Sequence, residues 1–150
     1  TVPLQRLGVP GGLLRVFNTW RWSEVTDPVT LRTRRISAEP TNFFQFRFSQ
    51  DLPRYNAVWG IDGNMRMQDT SYRINEVRSN VKREYLILYT EYRPRPDVTI
   101  RAELTNPTFR QRLRYRQQYV GPRSANLLAY DERRVWSLGP MFALRARKTF

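Results

Sequence analysis

The chain has no cysteine and no histidine among its 150 residues. Those two absences together remove disulfides, thiol and imidazole nucleophiles, the common zinc sites and the usual general base. Carboxylates are scarce: 13 Asp and Glu stand against 26 Lys and Arg, for a formal net charge of +13. Lysine is itself rare, Lys82 and Lys148 being the only examples, so the charge is almost entirely guanidinium. No apolar run approaches the ~20 residues of a membrane-spanning helix, and no Gly-rich phosphate loop appears. The opening Thr1-Val-Pro-Leu-Gln-Arg6 is not a basic-then-apolar leader, so the chain reads as mature or as a piece of something longer.

A basic chain rich in arginine and aromatics is first weighed as a nucleic-acid binder. Here the arginines are spread along the chain and alternate with apolar residues, and no recognition helix, zinc finger or RNA-binding aromatic motif is seen. Helix signals are poor, and the one candidate, Tyr72-Arg-Ile-Asn-Glu-Val-Arg-Ser79, has no clean apolar face. Strand signals repeat, with the side-chain period of two that a strand requires. Leu14, Val16, Asn18, Trp20 and Trp22 alternate with Arg15, Phe17, Thr19 and Arg21, and Phe44, Phe46 and Phe48 alternate with Gln45, Arg47 and Ser49. Ala57, Trp59, Ile61, Gly63, Met65 and Met67 form a third series, and Leu86, Leu88, Thr90 and Tyr92 a fourth, set against Tyr89 and Glu91. Val98, Ile100, Ala102 and Leu104 oppose Thr99, Arg101 and Glu103 in the fifth.

The sixth series closes the chain. Trp136, Leu138, Pro140, Phe142, Leu144, Ala146, Lys148 and Phe150 share one face, while arginines and small residues occupy the other. This ribbon resembles the C-terminal assembly signal of bacterial outer-membrane proteins, carried by Trp136, Leu138, Phe142, Leu144 and Phe150. Short connections rich in Gly, Pro and Asp, namely Gly8–Gly12, Asp51–Arg54 and Arg93–Asp97, alternate with long polar stretches at Ser23–Pro40, Asp69–Arg83 and Arg112–Arg134. That sorting of turns by length belongs to outer-membrane barrels, with short periplasmic turns and long extracellular loops. Barrels of that kind do without disulfides, and the absence of cysteine also suits the cytoplasm. The expected fold is all-β: an antiparallel up-and-down transmembrane β-barrel segment of about six strands, incomplete as a barrel.

A family resemblance follows from motifs in order along the chain. Asp27-Pro-Val-Thr-x-Arg-x-Arg-Arg-Ile-Ser-x-Glu-Pro40, Phe48-x-Gln-Asp-Leu-Pro53, Trp59-Gly-Ile61, Ser71-Tyr-Arg73, Leu104-Thr-Asn-Pro-Thr108 and Tyr119-Val-Gly-Pro-Arg123 resemble TonB-dependent receptors of the outer membrane. The resemblance spans nearly the whole chain and matches the C-terminal end of the family's barrel; the individual motifs are modestly specific, and their order is what persuades. It implies residence in the bacterial outer membrane and active, TonB-coupled uptake of a scarce nutrient. The implied partners are outer-membrane lipid, lipopolysaccharide and the barrel-assembly machinery, with TonB reached only through an N-terminal plug region that this sequence lacks. Such barrels have about 22 strands, so the chain is expected to be the final portion of a larger receptor. Thr1 starts abruptly, just before a turn expected to be periplasmic. Its first and last strands would then be open edges.

The candidate ligand-binding residues on the expected lumen face are Arg47, Arg66, Glu91, Arg101 and Glu103, with Arg15, Arg21, Arg145, Arg147 and Asp62 beside them. They form either a basic wall for an anionic solute or a set of internal ion pairs. The loop arginines Arg32, Arg34, Arg35, Arg123, Arg133 and Arg134 suit either substrate or lipopolysaccharide phosphates, which guanidinium groups grip in pairs of hydrogen bonds. Trp20, Trp22, Tyr92, Trp136 and Phe150 read as membrane-interface aromatics rather than as a stacking platform for bases or sugars. Lys148 is tolerable at the boundary because its stem can snorkel, and Pro140 predicts a bulge or weak seam in the last strand. No enzymatic activity, catalytic residue, metal or cofactor is expected, and no nucleic-acid partner. The alternative reading is a basic soluble β-sheet domain that binds nucleic acid or another polyanion. The transported substrate is not legible.

Overall fold

The computed structural model describes residues 1–149; Phe150, the last residue of the expected assembly signal, lies outside them. The strands are β1 (Val2–Pro3), β2 (Gly12–Trp20), β3 (Val25–Thr26), β4 (Thr33–Arg34), β5 (Asn42–Leu52), β6 (Ala57–Asn64) and β7 (Met67–Tyr72), then β8 (Glu76–Lys82), β9 (Tyr85–Arg95), β10 (Val98–Thr105), β11 (Gln111–Tyr119), β12 (Leu128–Ser137) and β13 (Met141–Lys148). Three short 3-10 turns at Gln5–Leu7, Pro53–Tyr55 and Arg123–Ala125 are the only helical pieces among the described residues. The fold is all-β and antiparallel. A seven-stranded sheet runs β1-β2-β5-β6-β9-β10-β13, a four-stranded sheet runs β12-β11-β8-β7, and β3 pairs with β4. The large sheet does not close on itself.

Its register divides the side chains into two sets. Leu14, Phe48, Ile61, Leu88, Leu104 and Phe142 stand opposite one another in a single row across β2, β5, β6, β9, β10 and β13. A neighbouring row on the same face holds Gln50, Trp59, Thr90, Ala102 and Leu144, and the next Leu52, Ala57, Tyr92, Ile100 and Ala146. One residue along, the rows gather the charges: Arg15, Arg47 and Asp62 align with Ile87, and Val58 aligns with Glu91, Arg101 and Arg145. A slip by one residue in any pairing would mix the two sets.

Glycine makes two of these rows possible. A Cβ on Gly60 would lie 2.4 Å from the carbonyl oxygen of Phe48 and 2.5 Å from the Tyr89 hydroxyl, so the Tyr89 ring crosses the polar face over a position without a side chain. On the opposite face the Phe46 ring lies over Gly63, where a Cβ would meet it at 2.3 Å.

The smaller sheet corrects the expectation of long loops. Asp69–Arg83 is chiefly the β7–β8 hairpin, and Arg112–Arg134 is largely the facing strands β11 and β12. Each of its strands prolongs one of the larger sheet: β6 runs into β7, β8 into β9, β10 into β11 and β12 into β13. The helix candidate at Tyr72–Ser79 is the turn and first half of β8. The closing ribbon is likewise not one strand. It breaks at Leu138–Pro140, so Trp136 pairs with Arg112 in the small sheet while Phe142 and Leu144 pair in the large one. Pro140 has no amide hydrogen to donate, and it falls within that break.

No hydrophobic core forms between layers. Val81, 6% exposed, is the only buried hydrophobic side chain among the described residues, while Phe142 and Leu144 are 71% and 67% exposed. The accessible surface is 10722 Å², whereas a compact globule of 18.0 kDa exposes about 8,000 Å². The difference, on the order of 2,700 Å², is the cost of leaving both faces of one sheet uncovered.

Candidate functional site

Charged side chains concentrate on the polar face of the large sheet, where the pairing of β9, β10 and β13 brings them side by side. Arg101 donates from Nη1 to Glu91 Oε1 at 2.8 Å and from Nε to Glu103 Oε2 at 3.1 Å, and its guanidinium lies 4.2 Å from the Tyr89 ring centroid. Arg93 reaches Glu91 at 3.3 Å, and Arg145 approaches Glu103 at 3.8 Å. One strand pair further, Arg47 Nε donates to Asp62 Oδ1 at 2.8 Å. Arg101 thus bridges two carboxylates that Arg93 and Arg145 also approach; with Arg147, four guanidinium groups face two carboxylates, and the group keeps a net positive charge.

Those residues line shallow concavities. One of about 460 Å³ is bounded by Glu91, Arg93, Pro96, Thr99, Arg101, Arg145 and Arg147. Another of about 390 Å³ lies over Arg15, Phe17, Gln45, Arg47, Asp62 and Ile87. Four of the five expected ligand-binding residues therefore share this face: Arg47 with Asp62, and Glu91, Arg101 and Glu103 together. Arg66 stands apart from them. It falls between β6 and β7 and borders a separate hollow with Arg35, Glu39, Gln68 and Tyr72.

A second cluster knots the connections at the far end. Asp27, 1% exposed, accepts hydrogen bonds at Oδ1 from the Val29 and Thr30 amides, at 2.8 and 3.1 Å. Arg34 Nε donates to its Oδ2 at 2.5 Å, and Arg123 Nη2 lies 2.9 and 2.7 Å from the two oxygens. Arg123 Nε also donates to the Arg73 carbonyl at 2.6 Å, and both arginines lie over the Tyr72 ring. Burial would raise the Asp27 pKa, but the Arg123, Val29, Arg34 and Thr30 hydrogen bonds together hold it well below the ordinary carboxylate value. One carboxylate so ties the β3–β4 ribbon, the β7–β8 turn and the connection after β11.

This arrangement redistributes the loop arginines. Arg34 and Arg123 are consumed by Asp27, Arg134 pairs with Glu132, and Arg133 lies 5.8 Å from the Tyr115 ring. Arg35 hydrogen-bonds Thr41 and lies over Trp22. Sequence reasoning overlooks Asp27 as a partner for them. The only local signal is Asp-Pro-x-Thr, a sequence suited to a side-chain-capped turn, and it says nothing of Arg123 ninety-six residues away. Tyr89 is missed as well; its tie to Arg101 depends on a bare Gly60.

Among the described residues no group of His, Cys, Asp and Glu could hold a metal ion, and no helix is long and apolar enough to cross a membrane. Searches against protein-family models, curated proteins and solved structures found no match.

Proposed function

We propose that the chain is part of the barrel of an outer-membrane TonB-dependent receptor, which takes up a scarce nutrient such as a siderophore, vitamin or carbohydrate by TonB-coupled transport. The observation that carries the membrane half of this reading is the uninterrupted apolar row Leu14, Phe48, Ile61, Leu88, Leu104 and Phe142, laid across a sheet with no layer covering it. Water would oppose such a surface, and hydrocarbon accepts it. Strand lengths support the reading: β5 and β9 have 11 residues each and β2 has 9, against the ~9–11 of a tilted membrane strand.

The polar residues on that face support it too, because their hydrogen bonds are met inside the protein. Trp59 Nε1 donates to Gln50 Oε1 at 2.9 Å, Gln50 Nε2 donates to the Pro10 carbonyl at 3.1 Å, and Thr90 Oγ1 donates to the Val58 carbonyl at 3.3 Å. On the opposite face, Arg101, Glu91 and Glu103 would line the aqueous interior. The TonB half of the reading rests on the ordered motifs from Asp27 to Arg123. The direct test is fractionation of cells expressing the protein that contains this segment. It should sediment with the outer membrane, migrate differently on gels before and after boiling, and support nutrient uptake only when TonB is present. Recovery as a compact monomer without detergent would refute the membrane reading, and uptake unaffected by loss of TonB would refute the transport mechanism.

A further inference from the structure

One row on the polar face of the large sheet carries no charge and sets two aromatic rings on either side of two primary amides. Phe17 on β2, Gln45 on β5, Asn64 on β6 and Tyr85 on β9 stand opposite one another in register. All four line the hollow of about 390 Å³. Neighbouring strands lie ~4.8 Å apart, so the two aromatic positions are separated by about 14 Å. Little within the protein uses these groups up. Phe17 is 57% exposed and meets Phe43 edge-on, with 6.2 Å between ring centroids. The Gln45 and Asn64 side-chain amides have no hydrogen-bond partner among the described residues. Tyr85 is steadied from one side: the Arg110 guanidinium lies 5.0 Å from its ring centroid, and Arg110 Nε donates to the Arg83 carbonyl at 2.8 Å.

The next row of the same hollow is charged and unbalanced. Arg15 stands directly opposite Arg47, and Arg47 is the one that holds Asp62, at 2.8 Å. Like charges opposed across a strand pair repel, and Arg15 has no carboxylate partner among the described residues. A second anionic group at this point would relieve that repulsion.

These parts fit the chemistry of a sugar chain. The C–H face of a pyranose is apolar and lies flat on the electron-rich face of an aromatic ring. Each primary amide offers two N–H donors and a carbonyl acceptor, which suits neighbouring hydroxyls that both donate and accept. A planar aryl ligand would stack on Phe17 equally well but would leave both amides unanswered. Each pyranose adds about one strand spacing of length, so the 14 Å row accommodates about three rings. We propose that Phe17, Gln45, Asn64 and Tyr85 seat an oligosaccharide that carries a uronate carboxylate, held by Arg15 beside β2. This sugar acid is the nutrient of the uptake reading above, and the inference rests on that reading.

The test is calorimetric titration of the detergent-purified protein that contains this segment with uronate trisaccharides of several linkages, their methyl esters, and a ferric catecholate complex. At least one uronate trisaccharide should bind, and its methyl ester should bind about tenfold more weakly. Phe17→Ala, at a half-exposed position where folding is not at stake, should weaken acid and ester alike by about tenfold. Gln45→Leu should weaken both independently. Arg15→Gln should reduce the acid to the level of the ester and leave the ester unchanged. Arg54→Gln, the same change in charge on the Pro53–Tyr55 turn, should alter neither. Equal binding of acid and ester would overturn the proposal, as would binding undiminished in both Phe17→Ala and Gln45→Leu, or binding of the catecholate complex alone. Failure of every probe in a protein that still sediments with the outer membrane and takes up nutrient through TonB would overturn it and leave the uptake reading standing. Recovery of the protein without detergent would overturn both.

Discussion

Replacing Asp27 by Asn tests whether one buried carboxylate holds the far connections together. The substitution keeps the shape and one carbonyl oxygen, so the turn bonds from Val29 and Thr30 can persist. It removes the charge that answers Arg123 and Arg34, whose side chains are only 7% and 17% exposed. Breaking a buried pair from one side costs ~3–5 kcal/mol, whereas an exposed pair is worth ~0–1 kcal/mol. The knot is buried yet lies within a single layer of loops, so water reaches it after a modest opening, and we place the loss at about 2 kcal/mol. A local opening made easier by that amount exchanges amide hydrogens about 30-fold faster. Hydrogen exchange should therefore accelerate at Leu31, bonded to the Asp27 carbonyl, at Arg123, bonded to the Ile74 carbonyl, and at Ala38, bonded to the Thr70 carbonyl. Amides of β9 and β10 should not change. The pH dependence has a definite sign: with its pKa depressed in the folded state, Asp27 stabilises above the unfolded carboxylate value and loses that contribution as pH falls through the folded one. Protection of the three amides, corrected for intrinsic exchange, should stay flat from pH 7 to 4. Acceleration below threefold in Asp27→Asn, or a loss of protection between pH 7 and 5, would refute the reasoning.

In the protein that contains this segment, Ile61→Arg, in the middle of the apolar row, should weaken folding into bilayers by ~2–4 kcal/mol, measured by urea titration in vesicles, while Ser49→Arg on the polar face should change it by less than about 1 kcal/mol. Gly60→Val should cost ~1–3 kcal/mol through overpacking against the Phe48 carbonyl and the Tyr89 ring; unchanged stability would show that the ring moves aside freely. Glu103→Gln leaves Arg101 paired to Glu91, so a double-mutant cycle of Glu91→Gln and Glu103→Gln should give non-additive losses, the second removal costing more than the first.

The strands of the large sheet were legible because period-two contrast between apolar and polar residues is a local property. Leu86, Leu88, Thr90 and Tyr92 against Tyr89 and Glu91 announce two environments without reference to any partner. The small sheet escapes the same reasoning because its contrast is weaker, one face charged and the other mixing Val81, Leu113 and Val135 with Ser79, Gln117 and Asp131. Arg112, Arg114 and Arg116 alternate with Leu113, Tyr115 and Gln117, and what holds β11 in place is the facing strands: Arg116 lies against Glu132 on β12 and near Glu76 on β8. Hydropathy contrast fades there, while strand geometry continues. The break at Leu138–Pro140 is partly visible in the proline, but the assignment of Trp136 to one sheet and Phe142 to the other is not. On the polar face of the large sheet, sequence alternation groups Arg47, Glu91, Arg101 and Glu103, yet only the register decides that Arg101 meets both Glu91 and Glu103 while Arg47 meets Asp62. The Asp27–Arg123 contact has no local signature at all.

The most direct measurement uses the absence of native cysteine. Single cysteines placed in turn at Phe48, Ile61, Leu88 and Leu104, and at Arg47, Asp62, Glu91 and Arg101, can each carry a spin label in the protein that contains this segment, freed of any other cysteine and folded into phosphatidylcholine vesicles. Collision with oxygen, which concentrates in hydrocarbon, and with a water-soluble nickel complex then reports the surroundings of each site. The account predicts high oxygen and low nickel accessibility at the first four positions and the reverse at the second four, alternating residue by residue along β5, β6, β9 and β10. Equal nickel accessibility on both faces would contradict it.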